Sequence, residues 1–324
     1  MERRARAVAS PARERVALDA RARAGQREGR GAASAAPAPI ETLDVRFAIG
    51  SGRVNALMRE GVADLVWPLP PGLLDLPMPS AYALATRDAN PERSLLLVLR
   101  ADLPPTSKVE ARHALAQAID RGAILNALGR RGRAGAVNSA PLDASVRDPA
   151  QVRAWLERGN LGRSLHVVLG FAADREGAEV ARTLQSAWAL QALDAELQPL
   201  RGEKLVQSRI GAVGPHAMLV EHQALRPGLA PWLADFVMPI RDAQVGPVRT
   251  GWRTREFDAW IGPNGAGEPD PEVVGRRLGE EDVVVPLARL PWAWIMRRDG
   301  PEIPVHSRYG PQPGAALFHE NSQP

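Results

Sequence analysis

The sequence predicts an α/β protein with room for two domains, on three observations. Short apolar runs of strand length, such as Leu95 to Leu99, alternate with segments whose apolar residues recur at helical spacing. The 324 residues suffice for two domains, each with a core of its own. Apolar residues make up 45% and charged residues 24%, the balance of an ordinary globular chain.

Residues 1 to 39 are rich in Arg, Ala and Gly and read as a poorly ordered basic lead, in which Arg13 to Ala20 alternates as a short strand would. Leu43, Val45, Phe47 and Ile49 alternate as a strand. Val54, Leu57 and Met58 follow as a short helix that Gly61 ends, and residues 62 to 67 form a second strand, making a β-α-β unit. Gly50 and Gly52 lack the third glycine and the acidic partner of a dinucleotide fingerprint, so they read as a tight turn. A Pro-rich loop spans residues 67 to 80.

The run Leu95 to Leu99 is a buried strand. Pro104 and Pro105 stop it, Ser107 is placed to cap a helix, and Glu110 completes a capping box. Val109, Leu115, Ile119, Leu125 and Leu128 line that helix, Asp120 and Arg121 mark a kink, and Gly129 supplies the exit. Asp148 and Pro149 start another helix faced by Val152, Trp155 and Leu156. A strand over 164 to 170, a helix opened by Asp174 with Val180, Leu184 and Trp188 on one side, a strand over 194 to 200, a short helix over 203 to 208 and a strand over 216 to 221 complete the regular part. Val283 to Pro286 reads as an inner strand.

Composition excludes several classes. The net charge of +4 comes from arginines interleaved with Ala and Gly, without aromatic stacking partners, so no nucleic acid is expected as partner. With no cysteine there is neither disulfide nor thiolate chemistry. The six histidines fall in different elements outside zinc spacings, and no GxSxG elbow is present, so neither a metal, a cofactor nor an enzymatic activity is expected. Residues 1 to 40 carry positive charge but no apolar segment of signal-peptide length, and no stretch approaches the roughly 20 apolar residues of a membrane span.

The stretch from Val109 to Leu125 resembles the signature helix of the family-five extracytoplasmic solute-binding proteins, the oligopeptide, dipeptide and nickel receptors of ABC importers. Ala111, Arg112, Ala114, Leu115, Ala118, Ile119, Asp120, Arg121 and Ile124 carry the match. Leu57, Gly61, Asp64 and Leu65 resemble a second motif, Ala154, Trp155, Leu156 and Gly159 a third, Val180, Ala181, Leu184 and Gln185 a fourth, and Ala195 to Leu200 a fifth. Phe257, Asp258 and Ile261 resemble the start of the family's return helix. The motifs stand in family order over roughly residues 40 to 300.

The resemblance implies a periplasmic-binding-protein type II-like architecture with its first lobe incomplete at the N-terminus. Residues 40–94 would form part of lobe I, 95–235 lobe II and 236–310 the return to lobe I, with 311–324 a tail. It also implies a monomeric substrate-binding component of an ABC importer. A small, peptide-like solute would be held in an interlobe cleft without chemistry, and the transporter's membrane subunits would be its partners. Its location would be periplasmic or extracytoplasmic. A solute-sensing domain of a cytoplasmic transcription regulator and an α/β enzyme stay open as alternatives.

Ligand-binding candidates come from aromatic and charged residues in loops. Trp67, Trp232 and Trp252 can wall a cleft. Arg249, between Pro247 and Gly251, has the fork that suits a carboxylate. Asp235, with Trp232, is the remnant of the family's acidic cleft loop, most of which is missing here.

Overall fold

The computed structural model describes residues 51–67, 69, 73, 76–87, 89, 93–128, 149–162, 165–223, 233–236, 248–252, 270–300, 303, 305–306 and 310–311, with the backbone of strands at 7–10, 13–19 and 42–46. The chain divides into two compact units. One comprises Met1–Arg87 with Trp292–Pro324, the other Asp88–Pro291. The second is thus an insertion in the first, and we call them the terminal and the inserted unit. The return to the first lobe was expected at residue 236, whereas the chain leaves the inserted unit between Pro291 and Trp292.

In the terminal unit, β1 (Ala7–Ser10), β2 (Arg13–Asp19) and β3 (Thr42–Arg46) form one antiparallel sheet. Helix α1 (Ser51–Arg59) precedes β4 (Leu65–Val66), and β5 (Tyr82–Arg87) follows. The central strand of the second sheet comes from far along the chain: β11 (Trp292–Arg297) lies between β4 and β5, antiparallel to both. The expected β-α-β unit is therefore corrected, because β3 pairs with β2 while β4 pairs with β11. Val54, Met58, Val66, Leu73, Tyr82 and Ile295 make the core beneath this sheet. The unit also carries the small pair β12 (Val305–His306) and β13 (Gly310–Pro311).

The inserted unit is built on a five-stranded sheet of order β10-β6-β9-β7-β8. Its strands are β6 (Arg93–Leu99), β7 (Leu165–Ala172), β8 (Leu193–Leu200), β9 (Ala217–Gln223) and β10 (Val284–Arg289). Strands β7, β8 and β9 are mutually parallel, and β6 runs antiparallel to β9. Alternation splits β6 between two cores, as a strand buried on both faces requires. Leu95, Leu97 and Leu99 meet α2 (Val109–Gln117), α3 (Arg121–Ala127), α4 (Pro149–Arg158) and α5 (Arg175–Ala189) on one face. Leu96 and Val98 meet Leu233, Phe236, Val248, Trp252 and α7 (Pro271–Glu281) on the other, where Leu205 of α6 (Gly202–Ile210) also packs.

Caps decide where helices start. Asp174 accepts the Gly177 N–H at 2.7 Å to open α5, and Asp120 accepts that of Ala123 at 3.0 Å to open α3, so the expected kink is a break between two helices. The cap expected at Ser107 lies one residue on, at Lys108, whose side chain makes no capping bond. The Ser107 carbonyl instead accepts from buried Arg112. Gly129, Asp148, Phe257 and Asp258, singled out in the sequence, lie outside the described residues.

Candidate functional site

The order of the inserted sheet locates a crevice. From β7 the chain passes through α5 to β8, and Val180, Ala181, Leu184 and Trp188 of α5 pack in the core of one face. From β8 it returns through α6 to β9, on the far side of β7, with Leu205 packed on the opposite face. Strand β7 is thus followed by a helix on one face, and β9 by Leu233 and Phe236 in the core of the other. In open α/β sheets such a reversal opens a crevice at the carboxyl ends of the strands, where ligands bind. Because β6 is antiparallel to β9, this end of the sheet also carries Arg93 and Arg289, near the points where the chain enters and leaves the unit.

Two acid–base pairs occupy the carboxyl end of β9. On one face Glu221 receives an Arg93 terminal N–H at 3.1 Å. On the other, the His222 Nε2–H donates to Asp235 Oδ2 at 2.7 Å, and the His222 ring lies 4.6 Å from that of Phe236. Asp235 is brought there by Leu233 and Phe236, which sink into the core on either side of it, and its carbonyl accepts the Val248 N–H at 3.4 Å. The sequence singles out Asp235, but nothing in it links that residue to His222.

Arg249 and Trp252 lie at other places. Thr250 holds their segment, donating its hydroxyl to the Phe236 carbonyl while its own carbonyl accepts the Ala101 N–H at 2.7 Å. Trp252 is only 4% exposed, a core residue. Arg249 donates its Nε–H to Asp102 Oδ2 at 3.0 Å, at the carboxyl end of β6. Asp102 also takes Arg100 Nε at 2.6 Å and Nη2 at 2.9 Å, and Arg100, 1% exposed, spends further donors on the Gly211 and Ala212 carbonyls. Burial alone would raise the Asp102 pKa, but the hydrogen bonds and charges of Arg100 and Arg249 outweigh it and hold the carboxyl below its ordinary value.

Trp67 stands in the terminal unit, just after β4, with its ring 6.0 Å from that of Trp292 and inclined at 65°. It is 36% exposed. Trp232 lies outside the described residues. Among the described residues no group of three His, Asp or Glu side chains is placed to hold a metal ion, and no helix is long and apolar enough to cross a membrane.

No family model and no curated protein matches the sequence. Solved structures do. The dipeptide-binding protein of Pseudoalteromonas sp. SM9913, solved with Met-Leu, superposes with a TM-score of 0.69 at 13% identity, over 85% of this chain and 57% of that one. The ABC transporter-associated periplasmic binding protein DppA of Helicobacter pylori, solved with a peptide STSA, gives 0.69 at 13% identity over 91% and 58%. NikZ of Campylobacter jejuni, solved with Ni(L-His), gives 0.65 at 12% over 86% and 61%. The chain thus has the α/β fold of solute-binding proteins and spans less than two thirds of the length of these three.

Proposed function

We propose that the chain is a solute-binding component of an ABC importer, taking a small peptide-like solute outside the cytoplasm and handing it, chemically unchanged, to membrane subunits. The observation that carries this reading is the fold, an α/β unit with a switch-point crevice inserted into a second unit, in a chain that superposes on solute-binding proteins at TM-scores of 0.69. Within it, the crevice of the inserted unit takes the solute's amino end. Asp235 gives one oxygen to His222, and the other, with no partner among the described residues, takes the ammonium group.

Calorimetry against dipeptides, tripeptides and a nickel–histidine chelate tests this. Saturable binding of at least one, with the solute recovered unchanged, is expected, and no binding by any of them refutes the proposal. Asp235→Asn should weaken a free dipeptide about tenfold, at the low end of the 1.5 to 3 kcal/mol of a charged hydrogen bond, and leave its N-acetylated form unaffected.

A further inference from the structure

At the amino end of β7, the opposite end of the sheet from the crevice, the inserted unit carries a cavity of about 510 Å³. It opens between the turn that leads into α2 and the turn that follows α4. Small-molecule sites have volumes of this order and are concave, mostly apolar and largely formed before a ligand arrives. Both turns here are fixed from within the chain. Thr106, 0% exposed, donates its hydroxyl to the Leu103 carbonyl at 3.0 Å, and buried Arg112 holds the Thr106 and Ser107 carbonyls. On the other side Asn160 takes a left-handed φ of +47°, and Leu161 returns its N–H to the Leu156 carbonyl at 3.0 Å. Lys108 ties the two walls together, donating from Nζ to the Gly159 carbonyl at 2.9 Å.

The lining divides by chemistry. Pro104, Pro105, Leu161 and Leu165 make it apolar, and proline rings lose no side-chain freedom when a ligand settles on them. Among the described residues that line the cavity Lys108 is the sole lysine or arginine, and its ammonium has donors left after Gly159. Ser107 precedes it and Asn160 follows the glycine it bonds; both are exposed, and their side chains make no hydrogen bond among the described residues. We propose that this cavity binds a small monocarboxylate with a planar apolar body, of the phenylacetate kind. The carboxylate meets Lys108, with Ser107 and Asn160 as further donors, and the body lies on the prolines and leucines. At the His166 edge, Asp194 Oδ2 takes the Nδ1–H at 2.8 Å and Glu196 Oε2 lies 3.9 Å from Nε2, so a second negative charge on the ligand is disfavoured there. The cavity lies apart from the crevice and owes nothing to the solute taken there.

The test titrates phenylacetate into the 15N-labelled full chain, with phenylacetamide as the control that lacks the charge and acetate as the one that lacks the body. Phenylacetate should shift the Asn160 side-chain amide and the Ser107 and Lys108 backbone resonances saturably, and neither control should match it. Lys108→Met should weaken it about tenfold, and Asn160→Gly, which keeps the left-handed backbone and removes only the amide, about threefold. No saturable shift at those residues, equal shifts with either control, or unchanged affinity in both variants overturns the proposal. A dipeptide should leave the phenylacetate titration unchanged, and competition between the two would place them in one site and overturn it as well. If phenylacetate binds as expected and no peptide or chelate does, the cavity stands and the transport reading falls.

Discussion

Gly251 lies against the side chain of Asp102. A Cβ at position 251 would fall on the Asp102 Cβ and Cγ and come within 2.7 Å of its Oδ1, and the backbone there has φ +69°, a conformation that L side chains rarely adopt. Gly251→Ala should therefore cost about 2 to 4 kcal/mol, from backbone strain together with displacement of the carboxylate from Arg100. The midpoint of urea denaturation reads this directly, and a loss below 1 kcal/mol would contradict the packing described.

Asp102 is the acid that two arginines share, so Asp102→Asn should cost about 2 to 3 kcal/mol at neutral pH. Its folded pKa is depressed, so its stabilising contribution is complete above the ordinary value of 3.8 and is lost as the pH falls below that value, through the folded pKa. The deficit of the Asn variant, followed by thermal denaturation, should shrink as the pH drops from 5 towards 2. A constant deficit across that range would remove the linkage.

Arg249→Leu leaves Asp102 its bonds to Arg100 and takes away one partly exposed partner. We expect about 1 kcal/mol of lost stability and no change in solute affinity, because Arg249 engages the carboxyl end of β6 rather than that of β9. A tenfold weaker dissociation constant at unchanged stability would return Arg249 to the role of anion anchor.

His216 accepts the Val168 N–H on Nδ1 at 2.9 Å, which requires the neutral ring. Burial first, and then the charges of His166 and Arg100, hold its pKa below the ordinary 6.5. The bond's contribution is full above pH 6.5 and is lost as the pH falls below it through the folded pKa. His216→Asn, whose side-chain oxygen can still accept, should flatten the stability profile between pH 7 and 4.5. An identical slope in both proteins would exclude His216 as its source.

Arg112, 3% exposed, donates to the Thr106 and Ser107 carbonyls, to the Glu281 carbonyl and to the Glu281 carboxylate. It joins the start of α2 to the end of α7, where the His113 ring also meets Asp282 Oδ2 at 2.7 Å. Removing its guanidinium strands those acceptors, so Arg112→Met should cost about 3 to 5 kcal/mol by denaturant titration. A cost near zero would mean that water replaces every bond.

These contacts mark the limit of what was legible in the sequence. Strands β6, β7 and β9 could be read because their apolar runs fit strand length, β8 because Leu193, Ala195 and Leu197 alternate with polar residues, and α5 because Asp174 and the row Val180, Leu184, Trp188 agree. Strand β5 and helix α7 went unread, although Tyr82 and Leu84 alternate and Asp270 with Pro271 is a helix start. Arg249 and Asp102 are 147 residues apart, and no local pattern announces such a bond. The signature arginine, Arg112, was noticed by position, but its work with Glu281 belongs to packing alone.

The split of the terminal unit bears on the order in which the chain can fold. A ribosome makes β4 and β5 early, yet the strand that must lie between them, β11, emerges about 200 residues later, once the inserted unit has been synthesised. Until then each early strand presents an unpaired edge to the surrounding cell, a state prone to association. The inserted unit, continuous in sequence, can condense first and bring Arg93 and Arg289 to the same end of its sheet, shortening the loop that β11 must close. Nascent chains should thus be vulnerable in one place and for one interval, between the completion of β5 and the release of β11.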